Sequence, residues 1–208
     1  HDTLTELAAA AEVPVINGLS DLSHPCQVLA DLLTIREHKG ALEGLKLVYV
    51  GDGFNVASSL LAAAPRLGLP ITLACPEGYD PGPAAIAAAR AATNDPASIE
   101  IVRDAHAAVA GAHAVYTDSW VSMGLEDETE TRLRAFADYQ VDAELMARAE
   151  PDAIFMHCLP AHRGQEVSDE VMDGPQSVVF DQAENRLHVQ KALLVQLIRG
   201  PVAFKELN

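Results

Sequence analysis

The sequence is short of aromatic residues, of cysteine and of positive charge, and each shortage excludes something. Phe, Trp and Tyr make up 5 % of the 208 residues, while 49 % are apolar, with much Ala. A β-sandwich core draws on aromatic and β-branched side chains, so an Ala-rich composition suits helices packed on a sheet instead. Three cysteines, Cys26, Cys75 and Cys158, are odd in number and far apart, with no C-x-x-C. That argues against a disulfide framework and for a reducing compartment, the cytoplasm. Lys and Arg number 14 against 30 Asp and Glu, a formal charge of −16. Nucleic-acid binding draws on clustered cations, so no nucleic-acid partner is expected. No apolar run approaches the roughly 20 residues of a membrane-spanning helix, and no membrane partner is expected.

What is present is an alternation of short apolar runs and Ala/Leu-rich helical stretches. Strands are expected at 45–51 ("LKLVYVG"), 70–76, 99–103, 114–118 and 153–158, with a last short one at 177–181 ("SVVFD"). Helices are expected at 55–68 ending on Gly68, at 81–92 with prolines at its start, at 104–112 capped by Asp104, at 126–139, at 142–150, and at 183–200 closed by Gly200. Strands separated by helices imply right-handed crossovers. The fold class that follows is α/β: a doubly wound, mainly parallel, Rossmann-like sheet with helices on both faces. The continuous apolarity of "LVYV" and "AIFM" agrees with strands buried on both sides.

The first 40 residues read differently. A helix-like opening follows His1, "VPVING" (13–18) reads as a lone strand, and "HPCQVLADLLTIREHKG" (24–40) as a long helix with Ser23 as its cap and Pro25 in its first turn. The chain opens on His1 rather than Met, and the expectation is that residues once preceded it.

In a parallel sheet, ligands bind at the carboxyl ends of the strands. That rule gathers Gly51, Asp52, Gly53 and Asn55 after the first strand, Asp118, Trp120, Ser122 and Met123 after the fourth, and Cys158 and Leu159 after the fifth. An amide, a carboxylate, a hydroxyl and a thiol in one crevice suit a polar ligand carrying an amine. "GDGFNVA" resembles a dinucleotide fingerprint poorly, because Val56 stands where Gly or Ala is needed and the next strand ends in Cys75-Pro76 rather than an acid. A zinc site at His157, Cys158 and His162 lacks a fourth ligand and paired spacing. A nucleophilic Cys158 wants an oriented base, and its neighbour His157 is expected on the opposite strand face. His24 and Gln27 share one face at a helix start, where anions bind.

"HPCQ" (24–27), "GDGFN" (51–55), "DSWVSMG" (118–124), "FADYQV" (136–141), "HCLPAHRG" (157–164) and "ENRLH" (184–188) together resemble the ornithine carbamoyltransferases in order and spacing. "SMG" and "HCLP" in one chain mark the ornithine branch; aspartate carbamoyltransferases share the "HP-x-Q" helix and lack "SMG". The resemblance implies transfer of the carbamoyl group of carbamoyl phosphate to the side-chain amine of L-ornithine, giving citrulline and phosphate, a step of arginine biosynthesis or of a urea-cycle type. It implies that the "HPCQ" residues His24, Pro25, Cys26 and Gln27, with Cys158, Leu159 and Arg186, bind carbamoyl phosphate. It implies that Asn55, Asp118, Ser122 and Met123 bind ornithine, with Asp118 and Cys158 acting at its amine. No metal or cofactor is implied, and a homotrimer or multiple of trimers is.

Two departures accompany it. Phe54 stands where the family usually shows a second Asn, so a changed loop is expected. The amino-terminal carbamoyl phosphate domain, with its Ser-Thr-Arg-Thr phosphate loop, is expected to be lacking. Residues 1–40 then read as its remnant plus an interdomain helix, 41–181 as the ornithine-binding domain, and 182–208 as a helix packing back on the missing domain. On that expectation the 208 residues alone are inactive. The alternatives are a carbamoyltransferase acting on acetylornithine or putrescine, and a nucleotide-binding α/β domain.

Overall fold

The computed structural model describes residues 1–122 and 124–200. Helices α1 (Asp2–Ala10), α2 (Pro25–Lys39), α3 (Asn55–Ala63), α4 (Pro83–Ala91), α5 (Ala105–Val109), α6 (Thr129–Ala135), α7 (Ala143–Met146), α8 (Asp169–Met172) and α9 (Val179–Arg199) surround one sheet. Its strands are β1 (Leu47–Val50), β2 (Ile71–Ala74), β3 (Ile99–Val102), β4 (Ala114–Thr117) and β5 (Ile154–His157), in the order β3-β2-β1-β4-β5. Every pairing is parallel, and Val50 is level with both Ala74 and Thr117.

The pleat explains why the strands read as unbroken apolar runs. Alternate side chains serve two separate cores. Leu47, Tyr49, Leu73, Tyr116 and Met156 face α2, α3 and Ala89 of α4. Val48, Val50, Val115 and Phe155 face α5, α7 and α8 together with Phe136 and Tyr139. The doubly wound sheet is therefore as expected.

Local chemistry sets several boundaries. Asp104 caps α5, its carboxylate accepting from Ala107 N–H at 2.9 Å. Gly40 ends α2 and Gly68 ends the turn after α3, both with positive φ. Four expectations fail. Residues 13–18 form no strand, because no neighbouring strand offers them backbone partners, and Val13 stays 70 % exposed. At 177–181 only Ser177 bridges to Phe155; Val179 turns into the core as the first residue of α9. His24, not Ser23, is the N-cap position of α2, and Ser23 Oγ instead accepts from Asn17 Nδ2 at 3.0 Å. The expected helices at 126–139 and 142–150 are shorter and broken. Phe136 and Tyr139 are pulled into the core between them, and Tyr139 OH donates to the carbonyls of Arg103 and Cys75.

Helix α9 packs along α2 through polar contacts. Arg186 meets Gln27, Gln182 meets Asp31, Asn185 meets Thr34 and Glu37, and Asp181 meets His38. Among the described residues no helix is long and apolar enough to cross a membrane.

Candidate active site

The strand order reverses between β1 and β4, so the loops that follow them diverge and open a crevice. Thr117 Oγ1 donates to Val50 O at 2.7 Å and pins the two strand ends together. The first loop is held by Gly53, whose N–H donates to Tyr79 O at 2.8 Å. A Cβ at Gly53 would overlap the backbone of Asp80 and Pro81. In a dinucleotide fingerprint the corresponding glycine makes room for a pyrophosphate. Here the protein's own chain fills that room, and the nucleotide-binding alternative loses its support.

The loops after β4 and β5 bring Asp118 and Cys158 into contact. Cys158 Sγ donates to Asp118 Oδ1 at 2.9 Å, and the same oxygen accepts from Ser119 N–H at 2.7 Å. Burial, and then the Asp118 charge, push the Cys158 thiol well above its ordinary range. The thiol therefore stays protonated, which removes a resting thiolate nucleophile. Asp118 Oδ2 has no donor among the described residues.

His157 organises this corner, although the sequence assigned it no role. Its Nδ1 accepts from Leu159 N–H at 2.8 Å, so the neutral ring carries its proton on Nε2, 3.3 Å from Glu166 Oε1. The same Glu166 oxygen accepts from His162 N–H. The expectation that His157 and Cys158 point to opposite faces holds: Cys158 packs on the core of Tyr116 and Met156, while His157 follows the side of Phe155 and reaches Glu166. Donor atoms of His157, Cys158 and Asp118 still come within 4.8 Å of one another at the end of the strand, after which Leu159 turns the chain with a φ of 59°. Both ring nitrogens of His157 are already engaged inside the protein.

The start of α2 supplies the second half of the site. Half-buried His24 is anchored by its N–H, which donates to Ser59 Oγ at 2.8 Å. Burial, then the Arg186 charge, lower its pKa, so the imidazole is neutral at pH 7. Pro25 opens the helix. Cys26 is buried against the Asn17 carbonyl, its thiol donating at 3.4 Å. Gln27 is 1 % exposed and accepts from Arg186 NH1 at 2.7 Å. Gln190, with its amide oxygen turned to Arg186, accepts from Nε and NH2 at 3.0 Å. A cleft of about 630 Å³ opens beside His24, Cys26, Arg186 and Gln190. His24 also feels the charge of Asp118, although neither Asp118 nor Cys158 lines this cleft.

Two predicted ligands are placed less directly. Asn55 begins α3, as expected of its loop, but its amide donates to Ser20 O at 2.9 Å. Ser122 is half-buried, its carbonyl accepting from Leu125 N–H. Met123 lies outside the described residues.

Asp31, Gln182, His157 and Glu166 were missed by sequence reasoning. All four are fully buried and polar. The available signal was weak: Asp31 sits inside an apolar helix stretch, and its partner Gln182 is 151 residues away.

Residues 43–197 match the family model for aspartate/ornithine carbamoyltransferase, Asp/Orn binding domain. Residues 1–37 match that family's carbamoyl-P binding domain, so the expectation that this domain is lacking does not hold. The ornithine carbamoyltransferase of Symbiobacterium thermophilum is 58 % identical over 199 residues, covering 95 % of this chain and 64 % of the relative. That of Thermococcus kodakarensis is 55 % identical over 201 residues, covering 96 % and 64 %. The structure titled ornithine carbamoyltransferase from Pyrococcus furiosus superposes with a TM-score of 0.91 at 52 % identity, covering 96 % of this chain and 64 % of that one. This chain thus spans about 64 % of the length of the relatives it matches. With this sheet, this Asp–Cys corner and these matches, the chain belongs to the aspartate/ornithine carbamoyltransferase family.

Proposed function

We propose that the protein transfers the carbamoyl group of carbamoyl phosphate to the side-chain amine of L-ornithine, giving citrulline and phosphate. The observation that carries this reading is the Asp118–Cys158 contact beside the His24–Arg186 cleft. An anion end and an amine end then lie within electrostatic reach of each other.

The amine must attack as the neutral base, yet its pKa resembles that of Lys, near 10.4. Asp118 serves as its anchor, and as the C–N bond forms and the C–O bond to phosphate breaks, the departing phosphate takes the proton that the amine releases. The Cys158 thiol and the Ser119 amide hold Oδ1, and Oδ2 is free of described donors to take an amine N–H. Cys158 acts as a donor that orients Asp118, since its thiol stays protonated. Neutral His24 presents an N–H to the carbonyl oxygen, where negative charge grows as the amine adds. Arg186 faces the departing phosphate, with Gln27 holding the guanidinium. Leu159 presents its backbone, with Pro25 and Cys26 shaping the helix start. Asn55, Ser122 and Met123 hold the amino-acid head group, Asn55 exchanging its bond to Ser20 for the ligand. Alignment of the two reactants supplies much of the rate, and the chemistry calls on no metal or cofactor.

In this reading residues 41–181 form the ornithine-binding unit, residues 1–40 belong to the carbamoyl phosphate domain and the helix that leaves it, and α9 packs back on that domain. The exposed Leu187, Leu194 and Ile198 on α9, at 67 %, 48 % and 79 %, support a contact there. We place the enzyme in arginine biosynthesis in the cytoplasm, as a homotrimer or multiple of trimers. The test is a substrate panel on the full-length protein. Citrulline from ornithine, with no product from acetylornithine or putrescine, supports the reading. Preference for either of the other amines contradicts it.

A further inference from the structure

Asp31 touches neither end of the proposed site, yet it stands between them. It is 0 % exposed in the middle of α2. Its Oδ1 accepts from Gln27 Nε2 at 2.8 Å and from Gln182 Nε2 at 2.7 Å. Gln27 then turns its own oxygen to Arg186 NH1 at 2.7 Å. Gln182 turns its oxygen to His157 N–H at 2.9 Å, one residue before Cys158.

A side-chain amide has a donor end and an acceptor end, and nothing in its shape says which way round it sits. Both glutamines are at most 1 % exposed, so water cannot repair a wrong choice. If Gln27 flipped, its NH2 would meet the Arg186 donor and its oxygen would meet the Asp31 oxygen. Two repulsive contacts would replace two hydrogen bonds, one of them charge-assisted through Arg186. A carboxylate oxygen that already takes two N–H groups can only accept. It therefore dictates the polarity of both amides.

We infer that Asp31 is a positioning residue that fixes the Gln27 amide and, through it, holds the Arg186 guanidinium in place for carbamoyl phosphate. The inference rests on the carbamoyltransferase reading and adds to it a residue that contacts no substrate. An asparagine at position 31 keeps an acceptor oxygen for both glutamines; a leucine has the same size and no acceptor.

The experiment is steady-state kinetics of the full-length enzyme as parent, Asp31→Asn and Asp31→Leu, with carbamoyl phosphate and ornithine varied separately. Asp31→Leu is expected to raise KM for carbamoyl phosphate about tenfold or more, with kcat and the KM for ornithine moving less than about threefold. Asp31→Asn is expected to stay within about threefold of the parent in all three. A folded Asp31→Leu enzyme with parental KM for carbamoyl phosphate overturns the inference, and so does an Asp31→Asn enzyme as impaired as Asp31→Leu. A purely architectural role would move kcat and both KM values together. If Asp31→Leu does not fold, the pair Gln27→Glu and Gln27→Glu/Asp31→Asn decides. In the single variant the introduced glutamate faces a second carboxylate. In the double variant the introduced asparagine can donate to that glutamate while still accepting from Gln182. The double variant is expected to recover carbamoyl phosphate binding lost in the single one, and no recovery overturns the inference. A parent that forms no citrulline refutes the functional reading itself, whereas an active parent with an indifferent Asp31→Leu variant refutes only the role of Asp31.

Discussion

The thiol of Cys158 donates to Asp118 Oδ1 at 2.9 Å across the carboxyl ends of β4 and β5. Because burial and the Asp118 charge keep the thiol protonated, the pair works as donor and acceptor, with Asp118 carrying the charge. Cys158→Ser preserves a donor and is expected to cost less than about tenfold in kcat/KM. Cys158→Ala removes the donor and is expected to cost more, at about one further factor of ten. Steady-state citrulline formation by the three enzymes checks the ranking. Equal activity of the Ser and Ala variants would show that the thiol only fills space.

Asp31 gives a pH signature in stability. Burial raises its pKa from 3.8 to about 7, against hydrogen bonds from Gln27, Gln182 and Tyr116 and the charge of Arg186. A carboxyl whose folded pKa is raised stabilises the fold below its unfolded pKa, and that stabilisation is lost as pH rises through the folded value. The parent should therefore lose stability between about pH 4 and pH 7 relative to Asp31→Asn, by up to about 4 kcal/mol at 1.36 kcal/mol per unit. Urea unfolding of both proteins across that window checks it. A pH-independent difference between them would remove Asp31 from the titration.

Much of this was legible in the sequence, for identifiable reasons. "LVYV" and "AIFM" announced strands buried on both faces, and the two cores on either side of Leu47/Tyr49 and Val48/Val50 are why. The strand-end rule brought Asp118 and Cys158 to one place before any geometry was known. What escaped it depends on distant partners. Nothing local to Asn55 announces that its amide lies on the Ser20 carbonyl, and nothing near Asp31 announces Gln182. Val13–Gly18 has a strand's composition but no strand beside it. His157 read as a spare histidine, because its roles come from Leu159 N–H and from Glu166, which the turn after β5 folds back onto it.

Gly53 is held to its identity by close approach. Gly53→Ala would drive a methyl into the Asp80–Pro81 backbone, which cannot rotate away. The expected cost is about 1–3 kcal/mol, with a raised KM for ornithine as Asn55 moves with the loop. Thermal denaturation and kinetics check both, and a variant with parental melting temperature would contradict the packing.

Arg132 and Asp52 form an ion pair at 2.6 Å, each side chain 8 % exposed, and Arg132 also donates to the Trp120 carbonyl at 3.1 Å. Arg132→Leu leaves Asp52 buried without its partner and is expected to cost about 3–5 kcal/mol. Asp52→Asn in the same background should restore part of that, because the uncompensated charge is gone. Denaturant titration of the single and double variants measures the restoration.

The most direct test of the central claim is citrulline production from ornithine and carbamoyl phosphate by the purified full-length protein, compared with Asp118→Asn. The account predicts turnover by the parent and a loss of at least about a hundredfold in kcat/KM in the variant, since a neutral amide accepts the amine N–H more weakly than the carboxylate and turns an NH2 donor toward the Cys158 thiol or the amine. Undiminished turnover in Asp118→Asn, or none in the parent, would contradict it.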